Sequence, residues 1–193
     1  MTTVLLTGFE PFGTATSNPS GEIVKQISGD NIVTAILPVA YAGSAERLLA
    51  LIAEHNPDVV ICLGQAEGRT QITPEKVAIN LDDARLADNE GVLRNDVKIL
   101  VDGPDAYFTT LPINKMVEAI KAKGVPAAVS LSAGAFLCNH VFYVAQNKFV
   151  GTKVRSGFVH VPLMDSQAPE FPGMPTMPLD QMVIAVRAML EVL

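Results

Sequence analysis

The segment PDVVICLG, residues 57–64, is a nearly continuous apolar run that ends at a glycine. Apolar side chains at successive positions suit a strand whose two faces are both buried, as in a parallel sheet with helices on each side. We therefore predict a β-strand over Asp58–Leu63. Four further segments rich in β-branched residues are strand candidates, and three of them are equally continuous: Thr3–Leu6, Asn31–Leu37, Ala127–Leu131 and Val154–His160.

Segments with helical periodicity alternate with these strands. Residues 44–55 carry one apolar face and begin with Ser44, a residue type that caps helix N-termini. Residues 109–124 repeat apolar side chains between a proline suited to the first turn and a terminal glycine. Residues 178–193 repeat them on one side, as expected for a docked terminal helix. This alternation predicts an α/β protein with a largely parallel sheet.

Length, composition and charge limit the class of protein. The chain has 193 residues, of which 49% are hydrophobic, and this suffices for the core of one domain over residues 1–193. Its formal net charge is -6 and it has no run of Lys or Arg, so we expect neither a nucleic acid nor a membrane as partner. The N-terminus has no basic leader and no apolar run reaches about 20 residues, which indicates a cytoplasmic protein.

Two long connections do not fit the alternation of strands and helices. Residues 8–21 are rich in Gly, Pro and Asn, and residues 64–110 are rich in Asp, Asn and Arg. Long irregular connections inside a compact domain are usually functional loops. Both follow predicted strands, which is where open α/β sheets place their ligand crevice. We therefore expect the binding site to use both loops.

The two cysteines have different surroundings, and we expect both to be free thiols. Cys62 lies inside the apolar strand segment, where cysteine usually serves as a small buried hydrophobe. Cys138 lies in the opening turn of a predicted helix over residues 137–149. The positive end of a helix dipole favours a thiolate, so we expect the pKa of Cys138 to lie below the free-thiol value of about 8.5. Packing of this helix onto the sheet is an alternative role for Cys138.

A cysteine nucleophile requires a base, and three histidines are candidates. His55 lies at a predicted helix end, which favours a surface role. His140 follows Cys138 by two positions, and that spacing directs the two side chains to different helix faces. His160 ends a predicted strand, so its ring projects toward the ligand edge of the sheet. We therefore select His160 as the base.

A third group must orient the imidazole, and the long loop supplies the carboxylates. Glu75 has apolar flanks, where an unpaired carboxylate would be costly to bury. An ion pair with Arg69 or Lys76 would explain the same placement equally well, so the residues alone leave the choice open. The complete pool is Glu67, Glu75, Asp82, Asp83, Asp88 and Glu90.

Several motifs occur together in a fixed order along the chain. The segments GQAEGRTQITPEKVAIN (64–80), SLSAGAFLCNH (130–140) and GFVHVP (157–162) resemble the glutamate, cysteine and histidine signatures of the pyroglutamyl peptidase I family, cysteine peptidases also called pyrrolidone-carboxylate peptidases. The segment TGFEPFG (7–13) and the NPS that follows resemble the N-terminus of the same family. The resemblance spans nearly the whole chain, and it assigns no role to residues 94–107.

The resemblance implies a catalytic triad. Cys138 would be the nucleophile, His160 the general base and then acid, and Glu75 the group that orients His160. The resemblance also implies a pocket for the pyrrolidone ring, with main-chain contacts from Gln65 and with Arg85 near the oxyanion. The implied aromatic walls of this pocket are Phe9, Phe12 and Phe136.

The resemblance further implies the reaction, the fold and the assembly. The reaction is hydrolysis of the amide bond after an N-terminal pyroglutamyl residue of small peptides, through a thioester and without a metal or cofactor. The fold is a single-domain three-layer α/β/α sandwich with a twisted, mostly parallel (mixed) sheet, and the assembly is a homotetramer. An uncharged pyrrolidone ring suits a pocket with aromatic walls and a few backbone polar groups.

Two alternatives belong to other functional classes. One is a nucleoside-handling enzyme whose loop after the first strand cradles phosphate. In that loop Glu10 adds a negative charge and Pro11 lacks an N–H, and the chain has neither a P-loop nor a GxGxxG pattern. The other is a non-catalytic module that binds pyroglutamyl peptides. An activity assay separates this module from a peptidase.

Overall fold

The structure is a computed structural model that describes residues 2–193. Within these residues, nine strands and five helices follow one another in an order that interleaves the two types. The strands are β1 (Val4–Phe9), β2 (Ile32–Leu37), β3 (Val59–Gln65), β4 (Thr73–Pro74), β5 (Val77–Ile79), β6 (Ala106–Phe108), β7 (Arg155–Val161), β8 (Leu163–Met164) and β9 (Thr176–Met177). The helices are α1 (Pro19–Val24), α2 (Tyr41–His55), α3 (Ile113–Ala122), α4 (Leu137–Lys148) and α5 (Leu179–Leu190), with a 3-10 turn at Asp165–Gln167.

The central sheet has five strands in the order β2-β1-β3-β7-β4. All of its neighbouring strands are parallel except β4, which pairs antiparallel with the end of β7. Two further pairs, antiparallel β5-β6 and parallel β8-β9, lie outside this sheet. The sheet is therefore mixed and mostly parallel, as predicted.

Helices cover both faces of the sheet. Along β3, Ile61 and Leu63 pack into one hydrophobic core with residues of α1, α3 and α5. Val60 and Cys62 point to the opposite face and pack into a second core with residues of α2 and α4. Successive strand residues are thus buried on opposite sides, which accounts for the continuous apolar run in the sequence. The predicted three-layer α/β/α sandwich is confirmed.

The predicted strand at Ala127–Leu131 is wrong. This segment is extended and pairs in parallel with β4 and its flanks, but only through isolated bridges at Ile72–Ala127 and Glu75–Ser130. The amide of Ile72 donates to the carbonyl of Pro126, just before this segment, and that of Lys76 donates to Ser130, whereas the residue midway between the two donors, Pro74, has no N–H to donate. One missing hydrogen bond therefore interrupts the ladder.

The start of α2 also differs from its prediction. The helix begins at Tyr41, three residues before the expected cap, and buried Ser44 lies inside its first turn. The carboxylate of Asp88 instead accepts a hydrogen bond from the Tyr41 amide at 2.9 Å. A residue from the long loop thus satisfies a free N–H at this helix start, which local sequence cannot reveal.

The other helix predictions are confirmed within a few residues. The helix after Pro112 begins at Ile113, and Gly124 follows its end with a φ of +79°. Cys138 lies in the first turn of α4, and α5 is the terminal helix. Within residues 2–193, no helix combines the length and the apolar character needed to cross a membrane.

Candidate active site

Cys138 lies where α4 starts, above the carboxyl end of β3. Its sulfur faces Gly64 of β3 so closely that a Cβ added at Gly64 would lie 2.8 Å from Sγ. The same Cβ would lie 2.6 Å from Cζ of Phe158, whose side chain is fully buried. Only glycine fits at this position, because both neighbours are packed.

His160 flanks the same glycine from the neighbouring strand. In the parallel pairing of β3 and β7, Gly64 lies directly opposite His160. The His160 ring packs against that of Phe158, with centroids 4.9 Å apart, and the side chain is 5% exposed. The structure therefore brings Cys138 and His160 together around Gly64 on one face of the sheet.

Glu75 completes this group from the edge of the sheet. It directly follows β4, and its amide donates to the carbonyl of Phe158 at 2.9 Å. Its carboxylate is fully buried, and Oε1 lies 2.7 Å from Nδ1 of His160. A carboxylate at this distance selects the tautomer that carries hydrogen on Nδ1, which leaves Nε2 as the free acceptor.

Arg69 contacts the same carboxylate oxygen. Its Nη1 lies 3.0 Å from Glu75 Oε1, and its Nη2 donates to the carbonyl of Ser132 at 3.1 Å. Nη1 also donates to the hydroxyl of Thr73. Glu75 therefore forms both the ion pair with Arg69 and the contact with His160. The two explanations for its placement hold together. The second oxygen of Glu75 has no hydrogen-bond partner among residues 2–193.

A cavity of about 180 Å³ opens beside the cysteine. Its apolar lining is Phe9, Phe12, Val39, Phe136 and Leu137. Its remaining lining residues are Asn18, Gln65, Glu67 and Cys138. The rings of Phe12 and Phe136 pack against each other with centroids 5.3 Å apart. Such a space, apolar with a few polar groups, suits a small uncharged ring.

Comparison with known proteins decides the family. The family model described as pyroglutamyl peptidase matches residues 2–193. This chain belongs to the pyroglutamyl peptidase family. A pyrrolidone-carboxylate peptidase of Aliivibrio fischeri is 46% identical over 200 residues, covering 99% of this chain and 94% of that protein. A pyrrolidone-carboxylate peptidase of Enterobacter sp. is 48% identical over 195 residues, covering 98% of this chain and 89% of that protein.

Solved structures give the same relationship. The crystal structure of pyroglutamyl peptidase I from Bacillus amyloliquefaciens superposes with a TM-score of 0.94 at 43% identity, covering 98% of this chain and 95% of that one. A mutant pyrrolidone carboxyl peptidase from the hyperthermophile Pyrococcus furiosus superposes with a TM-score of 0.93 at 37% identity, covering 98% and 97%. The family resemblance predicted from the sequence motifs is confirmed.

The electrostatics of this family member differ from the sequence expectation. Burial raises the pKa of the Cys138 thiol to about 12, and the negative charge of Glu75 acts in the same direction. Burial also lowers the pKa of His160, although the hydrogen bond and charge of Glu75 oppose this shift. The expected depression of the thiol pKa by the helix dipole is wrong in direction, because desolvation dominates. Both pKa shifts favour the uncharged forms, a thiol on Cys138 and a neutral imidazole on His160.

The cavity differs from the ring pocket predicted from the sequence at Arg85, Asn18 and Val39. Arg85 is exposed and is not part of the cavity lining, whereas the other residues proposed for the ring pocket all line it. Asn18 and Val39 line the cavity without having been singled out as site residues. Asn18 belongs to the NPS motif and caps α1, with its side chain accepting from the Ser20 amide. That motif was the available signal for Asn18, and none marked Val39.

The remaining histidines and cysteine lie elsewhere. Buried His140 contacts Asp82 at 2.9 Å through Nδ1, and Arg94 binds the same carboxylate at 2.7 Å. His55 is the last residue of α2. Cys62 is fully buried, and burial raises the pKa of its thiol to about 11. These placements agree with the structural roles predicted for them.

The pair formed by Asp82 and Arg94 also gives residues 94–107 a place in the fold. Asn80 binds this region at a second point, where its side chain accepts from the Leu100 amide at 2.9 Å.

Among residues 2–193, no group of three or more His, Cys, Asp or Glu side chains is arranged to hold a metal ion.

Proposed function

We propose that this chain is a pyroglutamyl peptidase that hydrolyses the amide bond after an N-terminal pyroglutamyl residue, with Cys138 as nucleophile. One observation carries the proposal: the Glu75–His160 pair, with 2.7 Å between Oε1 and Nδ1, lies beside the glycine that faces the Cys138 sulfur. A nucleophile, a base and an orienting carboxylate in this order match the triad arrangement of acyl-transfer enzymes.

The first half of the reaction forms a thioester. Cys138 Sγ attacks the pyroglutamyl carbonyl carbon while its proton passes to Nε2 of His160. The resulting imidazolium faces the Glu75 carboxylate, which stabilises its positive charge. The amide C–N bond then breaks, and the departing amine takes the proton from Nε2. The shortened peptide leaves with a free N-terminus.

The second half hydrolyses the thioester. A water molecule attacks the acyl carbon and gives a proton to Nε2 of His160. The C–S bond breaks, and the proton returns from Nε2 to the sulfur. Free pyroglutamate leaves, and the site returns to its thiol and neutral imidazole. No step requires a metal or a cofactor.

The small cavity supports recognition of the pyroglutamyl ring. Phe9, Phe12 and Phe136 provide apolar surface for an uncharged ring, and Gln65 lies at the wall where its main chain can meet the lactam. None of the residues lining this cavity is Lys, Arg or His. The Phe9, Phe12 and Phe136 walls would strip water from an ordinary N-terminal ammonium group without offering hydrogen bonds in return, and Glu67, the carboxylate of the lining, is exposed at the rim.

The decisive experiment is hydrolysis of a fluorogenic pyroglutamyl amide by purified protein. We expect turnover by the wild type, none by Cys138→Ala, and turnover by Cys62→Ala, which removes the thiol outside the site. A prolyl amide of the same fluorophore serves as a substrate control, because it keeps the ring size but lacks the lactam carbonyl. If the wild type binds the pyroglutamyl amide without turnover, the chain is the binding module considered above. The family match does not favour the nucleoside-handling alternative.

We also propose the setting in which this enzyme works. It is one catalytic domain over residues 1–193, acts on small peptides in the cytoplasm, binds neither nucleic acid nor membrane, and forms a homotetramer. Exposed apolar side chains support the assembly, among them Val101, Phe108 and Leu131 at 76%, 68% and 74% exposure. Light scattering across a dilution series tests it, and a monomer at every concentration would contradict it.

A further inference from the structure

A second, larger cavity adjoins the cavity beside Cys138. Its volume is about 380 Å³, and it shares Phe12, Gln65 and Glu67 with the smaller one. The loop after β1, residues 86–89 and Phe171 form its remaining walls. The two cavities therefore meet at a shared wall.

The position of Cys138 indicates which part of a substrate each cavity would hold. Cys138 lines only the smaller cavity, so the acyl carbon that it attacks lies there with the pyroglutamyl ring. The peptide beyond the scissile bond extends away from the ring. The larger cavity borders the same residues Phe12, Gln65 and Glu67, so it is the space next to this part of the substrate.

Glu67 gives the shared wall its charge. It is exposed in the turn after β3 and forms no ion pair with another residue of the described chain. No Lys, Arg or His lines either cavity among residues 2–193, and Arg85, which precedes Leu86 in the chain, is absent from both linings. The wall therefore presents a negative charge, and no cationic side chain belongs to the described lining of either cavity.

The second carboxylate of the larger cavity is already occupied. Asp88 is buried, and one of its oxygens accepts from the Tyr41 amide. Its other oxygen accepts from the amides of Glu90 and Val92. Asp88 therefore has its acceptors committed to the backbone, whereas Glu67 has its acceptors free for a ligand.

We propose that the larger cavity is the subsite for the residue that follows pyroglutamate, and that Glu67 makes it favour a basic residue over an acidic one. This inference rests on the proposed peptidase function. A lysine or arginine side chain in the cavity places its cation against the free carboxylate of Glu67, whereas a glutamate side chain is repelled. Peptides with a basic second residue are thus the preferred substrate class.

The test uses three peptides that differ only in the second residue, pyroglutamyl-Lys-Ala-amide and its Gln and Glu counterparts. For an exposed charge pair we expect kcat/KM to be about two- to fivefold higher for Lys than for Gln, and lower for Glu than for Gln by a similar factor. The differences should shrink in 1 M salt, where charges are screened within about 3 Å. Equal values for the three peptides at low salt would overturn the subsite.

Variants assign the effect to one carboxylate. Glu67→Gln should bring the three values together, and Glu67→Lys should reverse their order. Glu118→Gln is the matched control, because it removes the same charge from an exposed site on α3, on the other face of the sheet. An unchanged preference in Glu67→Gln, or an equal loss in Glu118→Gln, would overturn the role of Glu67.

The uncharged peptide separates this inference from the proposed function. If the wild type does not cleave the Gln peptide, the peptidase function itself fails. If it cleaves all three peptides at the same rate, the peptidase function stands and the charge preference fails.

Discussion

Arg69 holds the Glu75 oxygen that also faces His160, with 3.0 Å between Nη1 and Oε1. The guanidinium shares this oxygen with Nδ1 of His160, so the negative charge of one buried carboxylate serves two partners. Arg69 also reaches the carbonyl of Ser132, which precedes the helix carrying Cys138. It therefore connects the Glu75 carboxylate with the segment that leads to Cys138.

This contact predicts an effect of Arg69 on the pH dependence of the reaction. The positive charge of Arg69 lowers the pKa of His160, so Arg69→Gln should raise that pKa and shift the acid limb of kcat/KM to higher pH. Arg69→Lys keeps the charge and should shift the limb less. The measurement is a pH profile of kcat/KM for the three proteins. An acid limb that stays in place in Arg69→Gln would show that Arg69 serves the fold only.

Replacement of Glu75 should separate orientation from substrate binding. Glu75→Gln retains the shape of the side chain but loses the charge that stabilises the imidazolium, so kcat should fall while KM changes little. In a serine triad the corresponding loss is about 10⁴-fold, and we expect a smaller one because a thiol ionises more readily than a hydroxyl. Steady-state kinetics on a pyroglutamyl amide measure the split. A kcat near that of the wild type would assign Glu75 to the ion pair with Arg69.

The raised thiol pKa predicts the pH dependence of alkylation. A group with a pKa of about 12 is a thiol at neutral pH, so iodoacetamide should react slowly with Cys138 and its rate should still rise above pH 8.5. Mass spectrometry of each cysteine gives the rate for each site. Cys62 should react more slowly still, since it is fully buried. A Cys138 rate that reaches its plateau below pH 8.5 would show a stabilised thiolate instead.

The close approach at Gly64 predicts that its replacement harms both stability and activity. The added methyl group of Gly64→Ala would lie within 3 Å of Cys138 Sγ and Phe158 Cζ, and relief of such overpacking typically costs about 1–3 kcal/mol. The matched control is Gly43→Ala in α2, where the nearest atom to the new methyl is Cγ of Pro38 at 3.2 Å. Urea denaturation and kcat together test the pair. Full activity in Gly64→Ala would contradict the packing described here.

The contact between His140 and Asp82 predicts that loss of His140 lowers stability without lowering activity. His140 contacts Asp82 as His160 contacts Glu75, but it lies outside the cavity beside Cys138. His140→Ala removes the partner of a buried carboxylate, so the free energy of unfolding should fall by about 1–3 kcal/mol. The kcat of the folded variant should stay near that of the wild type. A large loss of kcat with unchanged stability would give His140 a part in the reaction.

The sequence predicted much of this molecule because several of its signals are local. Continuous apolar runs mark the buried parallel strands, and the position of Cys138 at a helix start follows from the residues around it. His160 was expected at the end of a strand, and it lies in β7 one residue before the end. These predictions depend on spacing within a few residues, which the folded state preserves.

Other features depend on contacts between distant segments. The proline in β4 removes a hydrogen bond from a partner more than fifty positions away, and this is why Ala127–Leu131 does not form a regular strand. Asp88 caps a helix that precedes it by 47 positions. The thiol pKa follows from the desolvation of Cys138 in the assembled site. None of these effects has a signature within one sequence window.

Glu75 and His160, which contact each other in the candidate site, are widely separated along the chain, and this separation has a consequence for refolding. Glu75 and His160 are 85 positions apart, and they meet only after the edge strand β4 has joined β7. Contacts of such long range require closure of a large loop, which makes them slow to form. Recovery of enzymatic turnover after dilution from denaturant therefore reports completion of the outermost part of the sheet, while circular dichroism reports the helices that form earlier.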